Sequence, residues 1–328
     1  MRIAVAAPQV PFVRGGAEIF AETLVAELCA RDHEAELVTV PFKWYPGTRV
    51  LDQAFLWRLL DLEADLVVAT KFPAYCVRHP NKVAWVLHQF RQAYEYDRTD
   101  LGQFSESPED RALRRKVHEL DRVVLGEARK LFATSANVAG RIERSTGLHA
   151  EVMPHPPQEL PYRNDGYGDF VLSAGRLDRA KRVDLLLEAV AADESLRAVV
   201  VGDGPDRARL EGIANGRVEF TGAVSGERLA ELYATCLGVY YAPIDEDFGM
   251  VPYEAFLSEK PVVTTTDAGG PLEIVADRRT GLVAEPTAAS IGAALRALTP
   301  DDAARWGRAG KEIAERVTWD ACIDRLLS

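Results

Sequence analysis

The chain has 328 residues, 47% of them hydrophobic, enough for two domains of about 150 residues with a core each. Its formal charge is −11 at pH 7: residues 1–157 hold 20 Lys/Arg against 21 Asp/Glu, and residues 158–328 hold 19 against 29. An acidic chain is a poor candidate for nucleic-acid binding, which leans on clustered cations, so no nucleic-acid partner is expected, and no run of about 18 uncharged apolar residues offers a membrane-spanning helix.

The start, MRIAVAAPQVPFVRGG, has one basic residue and a short apolar run broken by Pro8 and Pro11. It reads as a strand and loop, not a secretion signal. Cys29, Cys76, Cys236 and Cys322 lie far apart with no C-x-x-C pair. They suggest neither a zinc site nor a disulfide framework, and read as buried free thiols in a reducing cytoplasm.

The first half alternates strands with amphipathic segments. IAVAA (3–7) predicts a buried strand, and 16–31 a helix with Ile19, Leu24 and Leu28 near one face. Further strands are expected at 35–40, 65–70, 82–88 and 130–135. Apolar strands separated by helices indicate a parallel sheet covered on both faces. Residues 154–168 then hold four prolines and two glycines in 15 residues, the texture of a linker. The pattern repeats with strands at 169–175, 197–204, 217–222, 238–243 and 261–266, and helices at 181–192, 226–234, 250–259 and 319–328. The expected architecture is α/β: two doubly wound Rossmann-like domains facing a central cleft. Residues 1–157 form the first and 158–317 the second, with 318–328 a terminal helix crossing back to the first. Ligands of such folds bind outside the carboxyl ends of the strands.

Four motifs lie at those ends. In VRGGAE (13–18), Gly15 and Gly16 leave bare amides at a helix start, suited to an anion, although a plain strand–helix turn accounts for them equally. In SAGRLDRAKR (173–182), Arg176 and Lys181 place two cations that could hold a diphosphate. VGDGP (201–205) is explained fully as a glycine turn before a helix. EDFGMVPYEAF (246–256) carries the most information. Glu246 and Glu254 flank a helix start with free amides at Gly249, Met250 and Val251. Carboxylates accept hydroxyl hydrogen bonds, and the amides and helix dipole suit phosphate, which together meet the needs of a nucleotide sugar. Ordinary capping is the other reading.

The ordered set resembles glycosyltransferase family 4, retaining enzymes of the GT-B fold, across almost the whole chain. It comprises GGAE at 15–18, His88 at a strand end, Gly175-Arg176 with Lys181, GDGP at 202–205, Glu246 and Glu254 eight apart, and GG-x-x-E at 269–273 with TG at 280–281. The resemblance implies that Arg176 and Lys181 bind the donor diphosphate and stabilise it as leaving group. It implies that Glu254 accepts from the ribose and Glu246 from the transferred sugar. Phe248, Gly249, Met250 and Val251 would line sugar and phosphates, Gly15 and Gly16 approach the phosphates, Val224 frames the base, and His88 sits over the reacting sugar. The family often has Asp after this histidine; here it is Gln89.

Segment 88–100, with Arg91 and Tyr94, is expected to face the acceptor. Arg111, Arg114, Arg115, His118 and Arg122 fall near one helical face, either solvated or set against an anionic acceptor or a peripheral membrane surface.

The expected function is transfer of a hexose from UDP-hexose or GDP-mannose to a carbohydrate, lipid or small-molecule acceptor, with no cofactor. Asp245-Glu246-Asp247 reads D-x-D, a metal-binding pattern in another transferase fold, but the nearby cations could do the metal's work, so no metal is expected. The rivals are a nucleotide-sugar epimerase of the same fold and a non-catalytic sugar-nucleotide-binding protein. A dehydrogenase lacks its G-x-G-x-x-G.

Overall fold

The computed structural model describes residues 1–328. In chain order the first elements are β1 (Arg2–Gln9), α1 (Gly16–Cys29), β2 (Glu34–Pro41), α2 (Val50–Leu59), β3 (Leu66–Ala69), β4 (Lys82–Val86), α3 (Pro108–Gly126), β5 (Lys130–Ala133), α4 (Ala136–Thr146) and β6 (Glu151–Val152). There follow β7 (Val171–Ala174), α5 (Val183–Ala192), β8 (Ala198–Val201), α6 (Arg207–Ile213), β9 (Val218–Gly222), α7 (Gly226–Thr235), β10 (Gly238–Tyr240) and α8 (Met250–Leu257). The chain ends with β11 (Val262–Thr265), β12 (Gly281–Ala284), α9 (Ala288–Ala297), α10 (Pro300–Ala314) and α11 (Trp319–Leu327). No helix is long and apolar enough to cross a membrane.

The chain divides into two compact units. One comprises Met1–His155 with Trp319–Ser328, the other Pro156–Thr318. The first contains a six-stranded sheet in the order β2-β1-β3-β4-β5-β6 and the second one in the order β12-β11-β10-β7-β8-β9. All pairings are parallel. The continuous apolar runs of β3 and β4 are buried throughout because helices cover both faces. One residue in them is polar: Lys82 is wholly buried and donates to the carbonyls of Tyr75, Val77 and Val124 at 2.8–3.1 Å. Those bonds replace the water that burial removes.

Local signals set the helix ends. Ser107 and Ser135 cap α3 and α4 by accepting from Asp110 N and Val138 N, and α4 stops at Gly147 in the left-handed region. The buried face of α1 is Phe20, Ala21, Leu24 and Leu28, and Ile19 is only partly buried. Leu24 and Leu28 thus lie as expected, but Phe20, one position on from Ile19, meets the core. Three cysteines are buried and free, whereas Cys29, at the end of α1, is exposed.

Helix α11 packs into the first unit. Trp319, Cys322, Ile323 and Leu326 join Phe20, Trp85 and Met153 in one apolar cluster, with the Trp319 ring stacked 6.0 Å from Phe20. Truncating a buried Trp removes both transfer free energy and packing. Trp319→Ala is expected to destabilise the first unit by about 3–5 kcal/mol. Urea unfolding should show an earlier transition for that unit, and an unshifted midpoint would mean that α11 does not anchor it.

Candidate functional site

In the second sheet, β7 and β10 are neighbours, yet the chain leaves β7 toward β8 and β9 and leaves β10 toward β11 and β12. Loops after such a pair diverge and open a crevice at the carboxyl ends of the strands. The loop after β7 carries Arg176 and Lys181, and the loop after β10 carries Glu246 and Gly249. Lys181 Nζ forms an ion pair with Glu246 and donates to Tyr241 Oη at 3.1 Å, and Tyr241 Oη donates to Glu246 Oε2 at 3.1 Å. A small cavity beside them is lined by Ser173, Gly175, Arg176, Lys181, Tyr240 and Tyr241. Burial disfavours the Lys181 ammonium, but Glu246 and Tyr241 outweigh it and hold the pKa above the ordinary lysine value. Burial, reinforced by Glu246, likewise raises the Tyr241 phenol, which stays a neutral donor.

Arg176 sits apart from this triad. Its side chain is 59% exposed and turns back to Asp178, Nε to Oδ2 at 2.9 Å. The structure therefore joins Lys181 to Glu246 and leaves Arg176 at the rim.

Helix α8 begins at Gly249 with no side-chain cap, so its first amides are open to an anion. Gly249 has φ 80°, and a Cβ there would stand 2.8 Å from the Tyr241 ring, so the position requires glycine. Phe248 is buried and stacks on Tyr253 at 4.9 Å, while Met250, Val251 and Val224 are partly buried against the same core. Glu254, one turn into α8, is partly buried and accepts from Tyr233 Oη at 2.7 Å. Burial raises its pKa against that hydrogen bond. The Gly269-Gly270 motif braces the acidic loop. Gly270 N donates to Glu246 O at 2.8 Å, and a Cβ on Gly270 would lie 2.5 Å from Asp247 O.

The first unit has its own reversal of strand order, between β1 and β3. There Gly15 and Gly16 open α1, and Glu18 Oε2 accepts from Gly15 N at 3.0 Å. Glu18 Oε1 accepts from the buried Lys71 Nζ at 2.8 Å, which brings a cation to the glycine loop. His88, after β4, is partly buried, and its Nδ1 donates to Gln89 O at 2.7 Å.

Gln89 turns inward. Its Nε2 donates to Asp121 Oδ2 at 3.0 Å, Tyr94 Oη donates to the same oxygen at 2.7 Å, and Tyr75 Oη donates to Oδ1 at 2.9 Å. The Tyr94 hydroxyl is thus committed to Asp121, and its ring stacks on His118 at 4.5 Å. Arg91 Nε donates to Glu95 at 2.6 Å, and its guanidinium lies over the Tyr96 ring. The basic face of α3 is not uniformly solvated. Arg111, Arg115 and Arg122 are exposed, but Arg114 is buried against Asp97 and Glu106.

Sequence reading missed Tyr241, Tyr233, Lys71 and Asp121. Only the alternation of Tyr240 and Tyr241 along one strand carried a signal, since adjacent strand residues face opposite sides.

Residues 162–313 match the family model described as Glycosyl transferases group 1. That match lies within the second unit and spans most of it. A GDP-mannose-dependent alpha-mannosyltransferase of Mycobacterium tuberculosis is 44% identical over 109 residues, 33% of this chain and 28% of that protein. One of Mycolicibacterium smegmatis is 36% identical over 156 residues, 47% of this chain and 40% of that protein. The matches to these curated relatives therefore span less than half of their length. Among solved structures, sucrose-phosphate synthase of Thermosynechococcus elongatus has a TM-score of 0.78, covering 99% of this chain and 97% of its own at 19% identity. Anabaena HepE in complex with UDP-glucose has a TM-score of 0.68, with 99% and 98% covered at 18% identity. At such identity the likeness concerns the fold, and the fold is GT-B.

Asp121 gives the first unit a pH signature. Burial raises its carboxyl to about 6, against hydrogen bonds from Tyr94, Gln89 and Tyr75. The folded state then binds the proton more tightly than the unfolded chain, so this contribution is full below the unfolded value near 4 and is lost as pH rises to about 6. Asp121→Asn should flatten the stability change between pH 4 and 6 by on the order of 3 kcal/mol, read from urea unfolding at each pH. An unchanged slope would mean that Asp121 is not the titrating group.

Proposed function

We propose that the protein transfers a hexose from a nucleotide diphosphate sugar to an acceptor hydroxyl, with retention of anomeric configuration and without a metal ion. The observation that carries this reading is the Lys181–Tyr241–Glu246 triad beside the uncapped start of α8. As the bond from the sugar carbon to the phosphate oxygen breaks, negative charge grows on the leaving diphosphate. Lys181 and the amides of Gly249–Val251 supply fixed positive potential there, and Arg176 joins them by turning from Asp178 at the rim toward the diphosphate. The acceptor oxygen attacks from the same face, and its proton passes to a departing phosphate oxygen. Glu246 orients the sugar through its hydroxyls, and Glu254 accepts from the ribose. His88 and Arg91 serve the acceptor side, but Tyr94 does so only by shape, since Asp121 takes its hydroxyl. The names of the mannosyltransferase relatives favour GDP-mannose over UDP-hexose as donor.

Calorimetric titration with GDP and with UDP, in EDTA, tests the donor site. One nucleotide is expected to bind at micromolar concentration, and Arg176→Ala and Glu254→Ala should each weaken it at least tenfold, about 1.4 kcal/mol. Binding of neither would sink the assignment. Transfer should keep most of its rate in EDTA, and loss of turnover there would overturn the metal-free mechanism. Conversion of donor in the absence of acceptor would instead mark an epimerase.

A further inference from the structure

Arg182 directly follows Lys181, yet neither the motifs nor the proposed chemistry gives it a role. Its backbone is left-handed, φ 49° and ψ 41°, a conformation that costs an ordinary residue and suits glycine. Something must hold it there, and the side chain shows what does. Nε donates to Ala242 O at 2.8 Å, and Nη2 shares its hydrogens among Pro243 O at 2.9 Å, Thr265 Oγ1 at 2.8 Å and the carboxylate of Asp267. The two terminal nitrogens grip both oxygens of Asp267, at 2.8 and 2.7 Å. Tyr240 Oη donates to the Arg182 carbonyl at 2.7 Å. The side chain is only 13% exposed.

These partners stand at the ends of β10 and β11, immediately before the loops that hold Glu246. Asp245 N donates to Asp267 O at 3.0 Å, Glu246 N to Ala268 O at 2.8 Å, and Ile244 N to Ala180 O at 2.8 Å. One planar guanidinium thus fixes three segments: the one that carries Lys181, the one that carries Glu246, and the one that braces Glu246. A lysine could not do this, because the fork geometry grips a carboxylate and two carbonyls at once.

We infer that Arg182 is a positioning residue for the transfer reaction, a clamp that sets the distance between Lys181 and Glu246. The inference rests on the transferase reading of that pair. It requires that loss of the clamp slow the chemical step more than it weakens donor binding, because a small misplacement at the reacting centre lowers the rate steeply.

The test is Arg182→Gly, which removes the guanidinium while suiting the backbone conformation. The expected result is a kcat at least tenfold lower, a donor KM within about threefold of wild type, a melting temperature nearly unchanged, and partial recovery of kcat in millimolar methylguanidinium. Asp267→Asn, which keeps the backbone bond to Asp245, should lose less. The double variant should be no worse than Arg182→Gly alone, since both changes break one contact. A wild-type kcat in Arg182→Gly overturns the inference. So does a loss that follows the melting temperature and resists methylguanidinium, which would make Arg182 merely structural. If the wild-type protein binds nucleotide but transfers no sugar to any acceptor, the transferase reading itself fails, and the inference falls with it.

Discussion

Parallel pairing of β7 with both β8 and β10 constrains everything that happens at the candidate site. Once those strands are neighbours and their connections run to opposite sides, the loops that follow them have to part, and helices α5 and α8 start on either side of the gap. Lys181 and Glu246, 65 positions apart in sequence, meet because of this and for no local reason. The left-handed Gly249, the tight approach of Gly270 to Asp247 and the aromatic wall of Phe248 and Tyr253 all sit around that gap. Each makes sense only with the strand order in place.

The charges gathered there are not arranged for stability. A buried ion pair returns little more than the desolvation it costs, and a buried cation is tolerated only where partners hold it. Lys181 meets that condition through Glu246 and Tyr241, and the result is an ammonium kept charged in a partly closed place. Arg182 adds rigidity through its bonds to two strand ends and a carboxylate. Stabilising a developing anion needs this combination: fixed charge, little water, and a geometry that does not relax.

The first unit uses buried polarity differently. Asp121 gathers Tyr75, Gln89 and Tyr94 beneath the segment that follows β4, and Lys82 gathers three carbonyls below it. Both networks face inward and supply most of their own partners, although Gln89 Oε1 is buried without a hydrogen bond. The Asp121 network holds Gln89 and Tyr94, which flank Arg91 and follow His88 in sequence. Gln89, which stands where an aspartate is common in the resembling family, fits this plan: a second carboxylate could not face Asp121 without repulsion.

The sequence alone determined the alternation of strands and helices, the linker texture at 154–168 and the resemblance to a glycosyltransferase family, because these are written in local composition, periodicity and short ordered motifs. It placed β1, β3, β4 and β11 to within a residue or two, since unbroken apolar runs have one solution in a sheet covered on both faces. It did not find α2, whose outer face exposes Phe55, Leu56 and Leu59 and so has no clean amphipathic stripe. Nor could it choose Phe20 over Ile19, or see that Cys29 ends on the surface, because a rotation of one residue along a helix leaves composition untouched. Tertiary structure alone decided which polar residues find each other. Tyr241 with Lys181, Tyr233 with Glu254, Asp121 with three donors and Arg182 with Asp267 are all contacts across long sequence separations. Such contacts follow from strand order and register within each unit, which no local stretch of sequence specifies.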